Sequence, residues 1–391
     1  MKIGIVLSST PGYSETFFTS KIKGLQAHGY KVVLLTQVAN DDFNMCPVIK
    51  QPKVYKNAII QIFMMIIVFL SLMPHLKAVK RFVALEKTQK KSATQLLKKI
   101  YLSSHILSLK VDWLHFGFAT QTIEYELVAR AIGAKMAVSF RGFDINVYPI
   151  KHPSCYDLLW KNVDKVHSIS NDLLQKAYVH GLSKDVPFKI IMPAVDMSNL
   201  NLIRNYTSQN KKLQIVTVAR LNWIKGLDLA INAIKILKDE GLDFDYHIIG
   251  SGTPIEKERY RLQLHQLQLE NEVFLHGKLS HDDVLSKLNS ADIYLQSSIQ
   301  EGFCNAVLEA QALGLLCVVT DAGGLNENIV HEKTGWIVPN GAPKLLANKI
   351  VEVNNLSTER KNEVSKNAIS RVKHNFNVEQ QQMQFADFYI T

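Results

Sequence analysis

Short apolar runs of strand length alternate with helix-length stretches, and they do so twice along the chain. Lys2 to Ser8 reads as a strand, Thr16 to His28 as a helix and Lys31 to Thr36 as a second strand. After an interruption come Val111 to His115, Met136 to Phe140, Lys165 to Ser168 and Ile190 to Met192, each short and apolar. Strands separated by helical lengths imply a parallel, doubly wound sheet. The polar stretch Asn199 to Lys212 marks a boundary, and the alternation then restarts. Its strands are Leu213 to Ala219, Tyr246 to Ile249, Val273 to Leu275, Ile293 to Gln296, Cys317 to Thr320 and Gly335 to Val338, with helices such as Gly226 to Glu240 and Ile255 to Leu269 between them. The pattern predicts an α/β fold of two doubly wound domains, residues 1–198 and 213–391, joined by a linker over 199–212 and facing across a cleft. The polar helical region from Pro343 onward closes the chain, and its last helix is expected to be able to pack back on the first domain. Ligands of such sheets bind outside the carboxyl ends of the strands.

The interruption in the first domain carries the charge. The 391 residues include 45 Lys+Arg against 35 Asp+Glu, a formal +10. Between residues 50 and 110 there are 12 basic side chains and one acid, Glu86, so this segment alone carries +11. The remaining chain is near neutral. The same segment holds the most apolar run, Ala58 to Met73, closed by Pro74 and flanked by lysines. It spans 16 residues, whereas a bilayer-crossing helix needs about 20. A short apolar helix framed by Lys and Arg suits an anionic membrane interface. A buried helical hairpin with solvated lysines and a true span are the two other readings. No nucleic-acid motif accompanies the lysines, and aromatics are sparse among them, so nucleic acid is not expected as a partner. The four cysteines form no CxxC pair, which favours a reducing compartment over a zinc or disulfide scaffold. Met1 to Leu7 reads as a first strand rather than as a signal sequence.

Phosphate signatures of the commonest kinds are missing. Gly277-Lys278 is followed by Leu279, which is no P-loop, and Ile255 stands where Gly250-Ser251-Gly252 would need a third glycine for a dinucleotide fingerprint. The densest constellation is Ser297-Ser298-Ile299-Gln300-Glu301-Gly302-Phe303-Cys304-Asn305, entering a helix that contains Glu309. Amides at a helix N-terminus favour a phosphate. Two carboxylates beside such a site fit a ligand that also carries hydroxyls; a solvated helix start is the bland reading. Arg220 lies just past the first strand of this domain, and Lys225-Gly226 opens the next helix. Two cations at that edge suit a diphosphate. No acidic cluster has metal-ligand spacing, so neither a metal nor a cofactor is expected.

In order, Val218-Ala219-Arg220-Leu221, Lys225-Gly226, Ile249-Gly250-Ser251-Gly252, Val273 to Leu279, Ala291-Asp292-Ile293, Glu301 to Glu309, Thr320 to Glu327 and Gly335-Trp336-Ile337-Val338 resemble the group 1, or family 4, retaining glycosyltransferases of GT-B fold. The N-terminal half resembles the narrower colanic acid and amylovoran biosynthesis branch, through Ser14-Glu15-Thr16-Phe17, His115-Phe116-Gly117, Phe140-Arg141-Gly142-Phe143-Asp144 and Met192-Pro193-Ala194-Val195-Asp196. That branch commonly has His where Arg141 stands. The resemblance implies two Rossmann-like domains, with the acceptor bound by the first and a nucleotide sugar by the second.

It also implies roles. Arg220 and Lys225 would bind the donor diphosphate, Glu309 the ribose and Glu301 the donor sugar. Amides of Gly302, Phe303, Cys304 and Asn305 would complete the cradle, with Gly250 beside it and Gly277-Lys278 against the base. Gly12 would let the phosphate approach, His115 would stand near the reacting carbon, and Arg141 and Asp144 would serve the acceptor. The implied activity is transfer from a nucleotide-diphosphate sugar, UDP-linked, to a lipid-linked saccharide in bacterial surface polysaccharide assembly, on the cytoplasmic face of the membrane. A nucleotide-sugar 2-epimerase and a non-catalytic nucleotide-sugar-binding protein are the alternatives. An oxidoreductase is disfavoured by Ile255.

Overall fold

The computed structural model describes residues 1–12, 16–40, 42–198, 204–207 and 212–390. Ser14 and Glu15 of the N-terminal motif, and most of the 199–212 linker, lie outside the described residues. The chain forms two units, Met1–Met192 together with Gln381–Thr391, and Pro193–Gln380. Residues 193–198, expected in the first domain, fall in the second unit, where the Val195 amide donates to the Phe376 carbonyl at 2.9 Å.

The first unit is built on a seven-stranded parallel sheet. Its strands are β1 (Lys2–Ser9), β2 (Lys31–Val38), β3 (Val48–Lys50), β4 (Trp113–Phe116), β5 (Lys135–Phe140), β6 (Lys165–Ser168) and β7 (Phe188–Ile190). The spatial order is β3-β2-β1-β4-β5-β6-β7. The order therefore reverses between β1 and β4, with Ile5 opposite both Leu34 and His115. Helix α1 (Thr16–Ala27) packs Phe18, Ile22 and Leu25 on Ile3, Ile5 and Leu7. Phe385, Phe388 and Tyr389, near the C-terminus, belong to the same core. Two strands differ from the sequence reading. Strand β3 is only three residues long and was hidden at the border of the basic segment. Strand β7 ends at Ile190 because Ser168 of β6 sets its register there.

The basic segment contains helices α2 (Ala58–Ser71), α3 (Leu76–Lys87) and α4 (Ala93–Leu107). Asn57 caps α2 by accepting from the Ile59 and Ile60 amides at 2.9 and 3.2 Å. Ser92 and Gln95 form a capping box on α4. The only acid of the segment, Glu86, is fully buried and pairs with Lys99 at 2.7 Å, joining α3 to α4. Most of the remaining lysines face solvent, so the surface is more uniformly basic than the composition alone states.

Helix α2 overturns the buried-hairpin reading, because none of its residues is buried. Ile59 is 79% exposed, Phe63 62% and Leu70 64%. Among the described residues no single helix is long and apolar enough to cross a membrane; only Ala58–Ser71 and Met73–Lys87 taken together, bent by 53°, meet that length and composition.

The second unit has a six-stranded parallel sheet of β8 (Leu213–Val218), β9 (Phe244–Ile249), β10 (Val273–Gly277), β11 (Ile293–Gln296), β12 (Leu316–Thr320) and β13 (Trp336–Val338). The order is β10-β9-β8-β11-β12-β13, so here the reversal lies between β8 and β11. Alternate residues feed two cores: Ile215, Leu295 and Val318 enter one, while Val216, Tyr294, Cys317 and Val319 enter the other. This two-residue period covers both faces of the sheet, which is why its strands read as unbroken apolar runs.

Candidate functional site at the β8/β11 switch point

Open α/β sheets bind ligands where the strand order reverses, beyond the carboxyl ends. In the second unit that point lies between the loops after β8 and β11. The first loop delivers Arg220 and Lys225, and the second delivers Ser297 to Cys304. Asn222 shapes the first by accepting from the Ile224 amide at 3.1 Å, and a short helical turn carries Trp223–Lys225. Gly226 then turns the chain at φ +57°, where a Cβ would overlap the Ser297 carbonyl. The loops are stitched by the Ile299 amide donating to the Ile224 carbonyl at 2.9 Å and by Ser297 Oγ donating to the Lys225 carbonyl at 3.2 Å.

This stitching brings Lys225 Nζ onto Glu301 Oε1 as an ion pair. Ser298 Oγ donates to the same oxygen at 2.9 Å. Behind it, Gln296 Nε2 donates to Ser298 Oγ at 2.7 Å, and the Tyr294 hydroxyl donates to Gln296 Oε1 at 2.8 Å. Burial works to lower the Lys225 pKa, but the Glu301 carboxylate overrides it and raises the pKa above its ordinary value. Lys225 is thus held as a cation. Burial, with Glu301 beside it, pushes the Cys304 thiol up to about 12, so that group stays protonated and is no nucleophile.

The helix Asn305–Ala312 begins at Cys304, whose side chain makes no capping hydrogen bond. Asn328, fully buried, accepts from the Cys304 amide at 3.0 Å and donates back to its carbonyl at 3.1 Å. The amides that follow are left at an N-terminus suited to an anion. Glu309 sits one turn on; burial raises its pKa, partly countered by His281. Arg220 is exposed and forms no ion pair among the described residues. Gly250, at φ +144°, lies so close to the Ala219 carbonyl that a Cβ would overlap it. Its amide donates to the Gly277 carbonyl at 2.8 Å, which sets the ends of β8, β9 and β10 side by side. Lys278 is exposed just beyond. Gly302 is buried, and its carbonyl closes on Gly324, while Phe303 packs against Phe376 with ring centroids 5.7 Å apart. Among the described residues no three His, Cys, Asp or Glu side chains converge as metal ligands.

Sequence reasoning assigned no role to Gln296, Ser298 or Asn328. The available signal was a glutamine closing an otherwise apolar strand and an asparagine inside the Thr320-to-Glu327 neighbourhood; both are fully buried polar groups that hold Glu301 and Cys304 in place.

In the first unit His115 is fully buried. The Tyr389 hydroxyl donates to His115 Nδ1 at 2.6 Å, and His115 Nε2 donates to Ser139 Oγ at 2.7 Å. Ser139 Oγ donates in turn to His167 Nδ1 at 2.8 Å, and His167 Nε2 to the Ile191 carbonyl at 3.0 Å. Lys21 Nζ lies 3.1 Å from His115 Nδ1. Burial, then the charge of Lys21, holds the His115 pKa well below its ordinary value. Asp144 is enclosed as well. It is 1% exposed, and its carboxylate accepts from the amides of Ala119, Arg141 and Gly142 at 3.0, 3.0 and 2.9 Å. It clamps a turn. The Arg141 guanidinium lies over the Phe17 ring, 2.9 Å from its centroid. A Cβ at Gly12 would meet nothing within 4 Å.

The family described as glycosyl transferases group 1 matches residues 199–371. The Escherichia coli protein WcaL, described as a colanic acid biosynthesis glycosyltransferase, is 31% identical over 271 residues, 67% of this chain and 66% of that one. The amylovoran biosynthesis glycosyltransferase AmsK of Erwinia amylovora is 29% identical over 242 residues, 60% of this chain and 58% of that one. The matched stretches cover no more than 66% of these relatives' own length. Among solved structures, Anabaena HepE in complex with UDP superposes with a TM-score of 0.73 at 15% identity, over 99% of this chain and 98% of that one. The lipopolysaccharide outer core galactosyltransferase WaaB superposes with a TM-score of 0.67 at 16% identity, over 100% and 99%. Residues 199–371 thus carry the group 1 glycosyltransferase domain, and the two parallel α/β units have the GT-B fold.

Proposed function

We propose that this protein is a glycosyltransferase of exopolysaccharide assembly that moves a sugar from a UDP-linked donor to a lipid-linked saccharide, with retention of configuration and no metal. The observation that carries this reading is the Lys225–Glu301 pair at the β8/β11 switch point, set beside an uncapped helix N-terminus. HepE has been solved with UDP and with UDP-glucose, which supports a uridine donor. Arg220, Lys225 and the amides of Gly302, Phe303 and Asn305 take the diphosphate and stabilise the charge that grows as it leaves, while the Cys304 amide is held by Asn328. Glu309 takes the ribose hydroxyls, Glu301 the hydroxyls of the donor sugar, and the Gly250–Gly277 edge with Lys278 the base. The bond from the sugar carbon to the phosphate oxygen breaks as the acceptor oxygen bonds that carbon on the same face, and the acceptor proton passes to the departing phosphate. Gly12 leaves room for the donor phosphate, and Arg141, stacked on Phe17, serves the acceptor.

The acceptor is met at the cytoplasmic face of the membrane. Helix α2 supports this, since it is apolar and none of its residues is buried, with Lys53 and Lys56 before it and Lys77, Lys80 and Arg81 exposed after it. Apolar side chains enter the interface while the basic groups meet anionic lipid, at about 1 kcal/mol each.

A thermal-shift panel of UDP-, ADP- and GDP-sugars tests the donor, because a ligand that binds the folded state raises the melting temperature. The UDP series is expected to raise it and the others not. A rise with no UDP compound would contradict the reading. Incubation of donor alone, followed by NMR for an epimeric sugar, separates transfer from 2-epimerisation.

A further inference from the structure

The loop that carries Glu301 is backed by a second one. After β12, residues 322–328 run along residues 301–304 and are fastened to them at both ends. The Glu301 amide donates to the Ala322 carbonyl at 3.1 Å, and the Gly324 amide donates to the Glu301 carbonyl at 3.0 Å. Gly324 lies so close to the Gly302 carbonyl that a Cβ would overlap it. At the far end both polar atoms of the Asn328 side chain are engaged by the Cys304 backbone, the oxygen by its amide and the nitrogen by its carbonyl.

That two-point clamp sets the direction of the amides around it, because Cys304 opens the helix Asn305–Ala312 without a side-chain cap. Asn328 needs a footing of its own. It ends the helix Leu325–Asn328, which is a single turn. One turn fixes several dihedrals for one hydrogen bond and does not hold by itself, and its last carbonyls have no partner within it. Arg371, on the helix Thr358–Asn375, meets both needs: its guanidinium donates to the Asn328 carbonyl at 2.5 Å and to the Glu327 carbonyl at 2.7 Å. A planar fork fixes two acceptors together, which a flexible ammonium does not. The fork lies over the Phe376 ring, 4.7 Å from its centroid. Phe376 is 3% exposed, and its ring is the one packed on Phe303.

We infer that Arg371 is a positioning residue of the diphosphate site: it fixes Asn328, and through Asn328 the helix start whose amides face the ligand. The inference rests on the reading of the β8/β11 switch point as the diphosphate site, and it adds a residue that touches no ligand. Binding by amides demands placement to within a fraction of an ångström, so a slack clamp costs affinity at a distance.

Calorimetric titration of UDP into the full chain and its variants tests this. Arg371→Met keeps an apolar stem over Phe376 and removes the donors; it is expected to weaken UDP about tenfold. Asn328→Ala is expected to weaken it by a similar factor. The double variant should be within about threefold of the worse single one, because both changes act on one clamp, whereas independent sites would multiply to about a hundredfold. Arg371→Lys keeps one cationic donor and should lose about threefold, and it carries the comparison if Arg371→Met does not fold. Arg360→Met is the control. Arg360 stands on the same helix and donates to the Glu332 carbonyl at 2.7 Å, outside the Leu325–Asn328 turn, and its loss should leave UDP binding at the wild-type value. Three results would overturn the inference: wild-type affinity in the Arg371 variants, multiplied losses in the double variant, or an Arg360→Met loss as large as that of Arg371→Met. A wild type that binds no UDP would sink the donor reading instead. Amide hydrogen exchange then decides the clamp: faster exchange at residues 303–306 in Arg371→Met, with β1 and β2 as protected as in the wild type, upholds it, and unchanged exchange overturns it.

Discussion

Lys225 and Glu301, 76 residues apart in the chain, form an ion pair at the point where the second sheet reverses its strand order. The pair is mostly enclosed, with side-chain exposures of 16% and 9%. Ser298 and Gln296 hold the carboxylate from behind, so neither charge can relax far when its partner is removed. Lys225→Ala is expected to lower kcat/KM by about a hundredfold or more, as for loss of a group stabilising the leaving charge. It should also cost roughly 3 kcal/mol of stability, because Glu301 is left unpaired. Lys225→Ala assayed in parallel with Ser298→Ala separates the two effects: Ser298→Ala should lose far less activity. Equal losses would contradict a direct role for Lys225.

Gly250 tests the contact between the ends of β8 and β9. Its φ of +144° is disfavoured for any side chain, and a Cβ would overlap the Ala219 carbonyl. Gly250→Ala is expected to lower the melting temperature by several degrees, for a cost of about 2 kcal/mol or more. Gly12→Ala meets nothing within 4 Å and should leave the melting temperature unchanged. The pair of melting curves checks both statements.

The buried histidines make stability depend on pH. His105, His115 and His167 all have pKa values lowered first by burial, with His105 at about 4. The folded state keeps them neutral where the unfolded chain, with ordinary values near 6.5, takes up protons. Their contribution is therefore full above pH about 6.5 and is lost as pH falls from there toward the folded pKa. For His105 the loss approaches about 3 kcal/mol by pH 4. Chemical denaturation at pH 7.5 and pH 5 should show a lower midpoint at pH 5, and His105→Phe should flatten part of that slope. An unchanged slope would show that His105 is protonated in the folded chain.

Helix α2 offers apolar side chains to an interface, and the basic residues around it offer charge. Binding to vesicles containing a third of phosphatidylglycerol is expected to fall steeply between 50 and 500 mM salt, on the order of the Debye length's shrinkage through the range of 10 Å to a few Å. Lys77→Glu, Lys80→Glu and Arg81→Glu combined should abolish it, and Phe63→Asp should weaken it at every salt concentration. Sedimentation unaffected by the triple change would remove the electrostatic account.

Short, unbroken apolar runs between helical lengths were enough to show two parallel sheets, since each strand is covered on both faces. They could not show β3, whose three residues leave too little pattern, or the end of β7, which depends on its pairing with Ser168. The positions of Arg220, Lys225, Glu301 and Glu309 were legible because local spacing puts them at strand ends and a helix start. The support from Gln296, Ser298 and Asn328 was not, because their roles rest on loops that meet only in the fold. The burial of His115 and Asp144 was not legible for the same reason. The His115 partners Lys21 and Tyr389 stand 94 and 274 residues away, and no local pattern reports burial by such distant groups.

The most direct measurement is calorimetric titration of UDP into the wild-type chain and into Lys225→Ala and Arg220→Ala. The wild type is expected to bind one UDP per chain, and each variant to bind at least tenfold more weakly while remaining folded. Wild-type binding that survives both substitutions undiminished would place the diphosphate elsewhere and contradict the assignment of the β8/β11 site.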